Sequence, residues 1–202
     1  MDALFVAALV AGLSYWPGSH LALDPVLLVA WKGAGVGLLA LWAAVRARDA
    51  NGRLLAAVLA LGAAGDVLLE AARLEIGGAV FLAGHLVAIF LYLRNRRPKA
   101  GWWPLLLVPA VVGAAALLPA DRSAAPGVAV YGLAVSAMAA AALMSRYRLA
   151  AVGAVMFVVS DLLIFARLGP LGGSMVPSLL VWPLYFGGQA LIAWDVGGRW
   201  RP

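Results

Sequence analysis

Two aspartates stand in matching apolar segments that lie far apart in the chain. AGDVLLEAARL contains Asp66, and VSDLLIFARL contains Asp161. In each segment a small residue precedes the aspartate and Ala-Arg-Leu ends the stretch. Two carboxyls that share a water-poor site are expected to differ in protonation, because both cannot readily ionise there. An acid beside a base is the arrangement that acid–base catalysis uses.

Five further polar residues interrupt the apolar segments, namely Lys32, Glu70, His85, Tyr185 and Gln189. A charged group inside a membrane span costs ~2.5–3.5 kcal/mol on insertion scales and usually marks function. At ~1.5 Å of rise per residue, Lys32 and both aspartates fall about 10 Å below the same membrane surface. We therefore predict that the two aspartates are catalytic. The five other residues are predicted to bind the substrate.

Simpler explanations exist for the five binding candidates. Lys32 could only neutralise one aspartate, and Glu70 could be a solvated helix end. His85 could be a core histidine that donates to a carbonyl. Tyr185 could serve packing, and Gln189 could hold two helices together. The aspartates are harder to explain in this way, because helix packing does not require two carboxyls at one depth.

The composition is that of an integral membrane protein. Of 202 residues, 65% are hydrophobic and 12% are charged, with a mean hydropathy of +0.98. A typical soluble domain is about 45–50% apolar and about 25% charged. The absence of cysteine excludes a disulfide framework, a thiolate metal site and a cysteine nucleophile. Since the cations lie between apolar runs, the net charge of +6 indicates membrane topology and lipid contacts, and we expect no nucleic-acid partner.

The spacing of apolar runs and Pro/Gly breaks predicts an all-α bundle of eight transmembrane helices in one integral membrane domain over 1–202. The predicted helices cover 3–16, 25–45, 54–71, 76–93, 102–119, 126–144, 148–166 and 176–196. The first of these is short for a span. We interpret it as a span and not as a signal peptide, because no basic segment or cleavage site accompanies it.

Lysine and arginine divide unevenly between the loops. The loops after predicted helices 2, 4 and 6 and the C-terminus contain Arg46, Arg48, Arg53, Arg94, Arg96, Arg97, Lys99, Arg146, Arg148, Arg199 and Arg201. The other side has Arg73, Arg122 and Arg167. The positive-inside rule therefore predicts that both termini are cytoplasmic, which requires an even number of spans. We expect a multi-pass protein of the cell membrane, namely a bacterial inner membrane.

A second match accompanies the aspartate segments. FLAGHL in predicted helix 4 aligns with YFGGQA in helix 8, so that His85 and Gln189 occupy equivalent positions. The two matches favour an internal repeat of 1–100 and 101–202, as in transporters and other membrane folds.

Other hydrolytic designs fit the sequence poorly. No Gly-x-Ser-x-Gly motif occurs, and two histidines are too few for a His-rich zinc site. AAGD at 63–66 lacks the first glycine of the Gly-x-Gly-Asp motif of presenilin-like proteases, and their Tyr-Asp motif is missing.

Five short motifs together resemble one known family. They are WKG at Lys32, GDVLL, FLAGHL, SDLLIF and LYFGGQALI, and their order and spacing resemble the YhhN, or lysoplasmalogenase-like, membrane proteins over about residues 25 to 195. The family usually has Lys-Pro where this chain has Lys32-Gly33. It often has a tyrosine where this chain has Ala88.

The resemblance implies eight spans and hydrolysis of the vinyl-ether bond of lysoplasmalogens, which yields a fatty aldehyde and glycerophospho-ethanolamine or -choline. We hypothesise that Asp66 and Asp161 share the acid and base roles in either order, and that Lys32 tunes them. The buried histidine, tyrosine and glutamine would position water or the headgroup. We expect no metal or organic cofactor, and we expect a lysophospholipid or ether-lipid substrate within membrane lipids. A proton-coupled transporter with the aspartates as a relay, or a non-catalytic lipid-binding protein, is the alternative.

Overall fold

The computed structural model describes residues 2–72 and 74–198. Within them the chain forms eight α-helices and no β-strand, which confirms the all-α prediction. The helices are α1 (Ala3–Gly18), α2 (Pro25–Arg46), α3 (Ala50–Ala71), α4 (Leu74–Leu93), α5 (Leu107–Leu117), α6 (Ala125–Met144), α7 (Arg148–Arg167) and α8 (Val176–Gly197). Three arginines used in the orientation prediction, Arg73, Arg199 and Arg201, lie outside the described residues.

Six of the helices are long and apolar enough to cross a membrane, and α1 and α5 are shorter apolar helices. The chain therefore has the helices of a membrane bundle. Eight spans, cytoplasmic termini and the internal repeat stay predictions.

Two boundaries differ from the predicted ones by more than two residues, in each case for a local reason. Helix α3 begins at Ala50 and not at residue 54, because the Asp49 carboxylate accepts a hydrogen bond of 2.8 Å from the backbone nitrogen of Gly52 and caps the helix earlier. The helix predicted over 102–119 is a 3-10 turn over Trp103–Leu106 followed by α5. Pro109 has no N–H to donate to the carbonyl four residues back, at Leu105, so this α-helical hydrogen bond is missing where the 3-10 turn meets α5.

The first of two compact units comprises the chain up to Leu91 and the segment from Ala193 onward. In this unit α2 packs against both α1 and α3. A Cβ atom at Gly33 would lie 2.7 Å from Cγ2 of Val67, so the close approach of α2 and α3 requires glycine there. Toward the other end of α2, the rings of Trp42 and Phe5 pack with centroids 4.9 Å apart. The contact between Gly33 and Val67 thus places the helix with Lys32 against the helix with Asp66.

The second unit covers Tyr92–Ile192. Here α6 packs against α5 and α7. Helices α7 and α8 meet at two glycines, since a Cβ atom at Gly188 would lie 2.6 Å from the carbonyl oxygen of Gly153. The Ser160 hydroxyl adds a hydrogen bond of 2.9 Å to the carbonyl of Val181. The backbone of α7 around Asp161 is therefore tied to α8.

The topology can be tested by cysteine labelling, because the chain has no cysteine of its own. If all eight helices cross the membrane, the cysteine of a His20→Cys or Ser123→Cys variant should react with a membrane-impermeant maleimide in intact cells. Ala3→Cys and Lys99→Cys should react only after the membrane is opened. The cysteine-free parent is the control. Labelling of positions 99 and 123 from the same side would mean that α5 does not cross.

Candidate functional site

Asp66 is the most buried carboxylate of the predicted site, with 2% of its surface exposed. It lies on α3 between two residues that make close helix contacts. Gly65 precedes it, and a Cβ atom there would lie 2.7 Å from the ring of Phe81 on α4. Val67 follows it and packs onto Gly33 of α2. Contacts with α2 and α4 on adjacent residues therefore hold the α3 backbone at Asp66.

Lys32 pairs with Glu70. Its Nζ lies 2.7 Å from Oε1 of Glu70, and the side chains are 14% and 50% exposed, respectively. Glu70 lies one turn beyond Asp66 on α3 and reaches the lysine from there. The ion pair is thus partly open to its surroundings, and neither charge is sealed in the core.

Tyr15 joins this group from α1. The phenol lies within the electrostatic influence of Lys32, Glu70 and Asp66. Its ring makes an edge contact with Trp31, with centroids 6.4 Å apart. Sequence reasoning missed this residue. Its position could have indicated a role, because Tyr15 lies near the end of α1 and is close in the chain to α2, the helix that contains Lys32.

His85 is buried on α4. It directly follows Gly84, where a Cβ atom would lie 3.4 Å from Cβ of Leu61 on α3. The histidine thus belongs to the same unit as Lys32, Asp66 and Glu70. No group of three or more His, Asp or Glu side chains suited to hold a metal ion occurs within residues 2–72 and 74–198.

Asp161 lies in the second unit, is 5% exposed and accepts a hydrogen bond from a residue that the sequence analysis did not name. The Tyr131 hydroxyl on α6 donates to Oδ2 of Asp161 over 2.9 Å. The Tyr131 ring in turn makes an edge contact with Phe165, with centroids 5.9 Å apart. Tyr131 is the one tyrosine of α6, whose only other polar side chain is Ser136, and this is the signal that could have identified it.

Tyr185 and Gln189 are buried on α8 in the same unit as Asp161. The Tyr185 ring meets Phe157 of α7 edge-on, with centroids 5.0 Å apart, and also packs against Trp182. Gln189 is 2% exposed, and its Oε1 has no hydrogen-bond partner among the described residues. A buried acceptor of this kind is normally satisfied by a water molecule or a ligand.

The predicted site residues therefore divide into two groups. Lys32, Asp66, Glu70 and His85 lie in the first unit, and Asp161, Tyr185 and Gln189 lie in the second. Tyr15 and Tyr131 extend these two groups. A further buried carboxylate, Asp195, lies near the end of α8 and also escaped the sequence analysis.

The contact between Tyr131 and Asp161 can be measured by a double-mutant cycle. Tyr131→Phe, Asp161→Asn and the double variant should show non-additive losses of stability, because each single change removes the same hydrogen bond. We expect a coupling of about 0.5–2 kcal/mol, which is the range for polar contacts between membrane helices. Thermal unfolding in detergent gives the values. Strict additivity would contradict the contact.

The comparison with known sequences is consistent with the motif resemblance. No curated protein and no solved structure matches the chain. The YhhN family model matches residues 27–196, which includes every predicted site residue. The chain therefore belongs to the YhhN family.

Proposed function

We propose that this protein is a membrane-embedded hydrolase that cleaves the vinyl-ether bond of lysoplasmalogens. One observation carries the proposal: two aspartates, Asp66 and Asp161, are almost fully buried within long apolar helices. Neither helix needs a carboxyl for packing, and such residues are costly in a membrane. Membership of the YhhN family supports the same conclusion. We further propose a location in the cell membrane, where the substrate can enter from the lipid.

The reaction requires an acid and a carboxylate. Protonation of the vinyl-ether carbon that is not bonded to oxygen gives an oxocarbenium ion. Water then adds to the carbon that is bonded to oxygen, with loss of a proton, and the hemiacetal collapses to a fatty aldehyde and the glycerol hydroxyl of the headgroup fragment. One water is consumed, and no electron is gained or lost. A carboxylic acid can supply the first proton, and a carboxylate can stabilise the cation and accept the proton of water.

The contacts favour one assignment of these roles. The Tyr131 hydroxyl donates to Oδ2 of Asp161, and a donor to a carboxyl oxygen stabilises the carboxylate. Asp161 is accordingly the carboxylate that faces the cation. The acid role then falls to Asp66, which is the more buried of the two aspartates. Gln189, with its unpaired buried Oε1, can accept a hydrogen bond from the attacking water.

The partly exposed ion pair of Lys32 and Glu70 is suited to the substrate headgroup. A lysoplasmalogen of the ethanolamine or choline class has a phosphate and a cationic amine. Lysine can bind the first and glutamate the second. When the substrate binds, the ion pair between the lysine and the glutamate would be replaced by one substrate contact for each side chain. Both charges would then still have a partner. His85 and Tyr185 are assigned to orientation of the substrate near the aspartates.

Replacement of either aspartate tests the catalytic proposal. Asp66→Asn and Asp161→Asn should each lower aldehyde release from a defined lysoplasmalogen by about 10²–10⁴-fold, because each removes a group that exchanges a proton in the reaction. The effects of two residues that act in one step are not additive. The double variant should therefore be only slightly less active than the less active of the two single variants. Asp195→Asn is the matched control, because Asp195 is also a buried helical aspartate.

The remaining outcomes separate the alternatives. Equal activity of the parent and both variants would exclude a catalytic role for the aspartates. If no ether or ester lysolipid is cleaved, proton-coupled uptake in proteoliposomes that depends on both aspartates would indicate a transporter. Retention of lipid without turnover or transport would indicate a lipid-binding protein.

The headgroup assignment predicts a change in KM. Lys32→Gln should raise KM for lysoplasmenyl-ethanolamine by about 10–100-fold with little change in kcat, because it removes a charge-assisted contact to phosphate made throughout the reaction. A vinyl-ether glycerol without phosphate is the control substrate, and its KM should not change. A fall in kcat for both substrates would instead place Lys32 in the chemical step.

A further inference from the structure

The end of α1 is fixed against α2 at the residue that precedes Lys32. The indole nitrogen of Trp31 donates to both the carbonyl oxygen of Ala11, over 3.1 Å, and the hydroxyl of Ser14, over 3.3 Å. A Cβ atom at Gly18 would lie 2.7 Å from the Trp31 ring, so the last turn of α1 lies directly on the indole. Trp31 therefore holds the end of α1 beside Lys32.

A cap at the C-terminus of α1 holds the same segment from the other side. The carbonyl oxygen of Trp16 accepts a hydrogen bond of 2.8 Å from the Ser19 hydroxyl and lies 2.8 Å from Nδ1 of His20. The backbone nitrogen of Ser19 donates to the carbonyl of Tyr15 over 2.7 Å. These bonds satisfy carbonyl groups that a helix end would otherwise leave without an intrahelical partner. The backbone at Tyr15 is thus held by contacts before and after it.

Tyr15 adds a hydroxyl to the surroundings of the ion pair between Lys32 and Glu70. Its ring is half-buried and packs edge-on against Trp31. The phenol lies within the electrostatic influence of the pair, and Lys32 acts on it more strongly than Glu70 or Asp66 does. A neutral hydrogen-bond donor from α1 therefore accompanies the cation that is assigned to the headgroup.

A phosphodiester is bound best by more than one donor. Its two non-bridging oxygens share a negative charge, and each can accept hydrogen bonds. The ammonium of Lys32 can bind one of them as a point charge, and a tyrosine hydroxyl can donate to the other. The neighbouring hydroxyl of Ser14 is committed to its own helix, since it donates to the carbonyl of Val10 over 2.6 Å. Tyr15 is accordingly the residue of this turn that is suited to a phosphate.

We propose that the Tyr15 hydroxyl binds the headgroup phosphate together with Lys32, so that α1 forms part of the substrate site. The inference rests on the proposed headgroup role of Lys32 and Glu70 and extends that site to a third helix. When the phosphate replaces Glu70 at Lys32, the phenol donates to the second phosphate oxygen. The site then selects lysolipids with a phosphodiester over those with an uncharged headgroup.

Binding of substrate analogues that cannot be cleaved at a vinyl ether tests this role. The parent and Tyr15→Phe are titrated in detergent with 1-O-alkyl lysophosphatidylethanolamine and with the matching 1-O-alkylglycerol. Tyr15→Phe should bind the phospholipid about 10–100-fold more weakly, because it loses a hydrogen bond to a charged group. Its affinity for the alkylglycerol should not change. Since neither ligand is turned over, the result does not depend on a catalytic role of the aspartates.

The matched control is Tyr147→Phe. The Tyr147 hydroxyl also lies beside a cation, because it accepts a hydrogen bond of 3.0 Å from Arg146, but it belongs to the second unit. This variant should bind both ligands as the parent does. Gly18→Ala is a second test, since the added Cβ would displace the end of α1 from Trp31. It should weaken binding of the phospholipid although it keeps the Tyr15 hydroxyl.

Several results would overturn the headgroup role of Tyr15. They are unchanged phospholipid binding in Tyr15→Phe or Gly18→Ala, and an equal loss in Tyr147→Phe. A similar loss for the alkylglycerol would also overturn it, because the hydroxyl would then not act through the phosphate. Displacement of the phospholipid by an equal concentration of inorganic phosphate would show a site for free phosphate and not for a lipid headgroup. The expected loss in Tyr15→Phe, with aspartate variants of unchanged activity, would reject the hydrolase proposal and retain this site.

Discussion

A polar side chain inside an apolar helix loses its hydration, and a partner on a neighbouring helix can offset this loss. The cost is several kcal/mol for an unsatisfied group in a lipid environment, which is comparable to the net stability of a small domain. Tyr131 therefore donates to Asp161, Glu70 pairs with Lys32, and Ser160 donates to the carbonyl of Val181. These buried polar groups therefore lie where partners on neighbouring helices can reach them.

Glycine accompanies these polar residues in the sequence. Gly33 follows Lys32, Gly65 precedes Asp66, Gly84 precedes His85, and Gly188 precedes Gln189. Each of these glycines lies within 3.4 Å, measured from an added Cβ, of a neighbouring helix of its own unit. Close backbone approach is the usual means by which membrane helices associate, because no hydrophobic force acts between them in lipid. The same contacts position the adjacent polar side chains, so stability and the geometry of the candidate site depend on the same residues.

Much of this fold could be predicted from the sequence, because hydropathy and Pro/Gly breaks report directly on helices in apolar surroundings. The two aspartates also stood out, since a carboxyl in an apolar run has few structural reasons to be there.

The hydrogen-bond and ion-pair partners of the site residues were harder to predict. Tyr131 and Asp161 are on consecutive helices, but a single sequence gives no information on which faces meet. The pair of Lys32 and Glu70 was not predicted, because it depends on side-chain reach at the end of α3, which periodicity does not determine. The 3-10 turn before α5 coincides with the missing N–H of Pro109, which is a feature visible in the sequence.

The central claim is that a carboxylic acid of the protein protonates carbon in a vinyl ether. Turnover of a lysoplasmalogen in D₂O, quenched early and analysed by mass spectrometry, tests it most directly. The account predicts one deuterium on the carbon next to the aldehyde carbonyl and a slower reaction than in H₂O, because proton transfer to carbon limits the rate. Aldehyde formed without deuterium at that carbon, or no aldehyde at all, would contradict it.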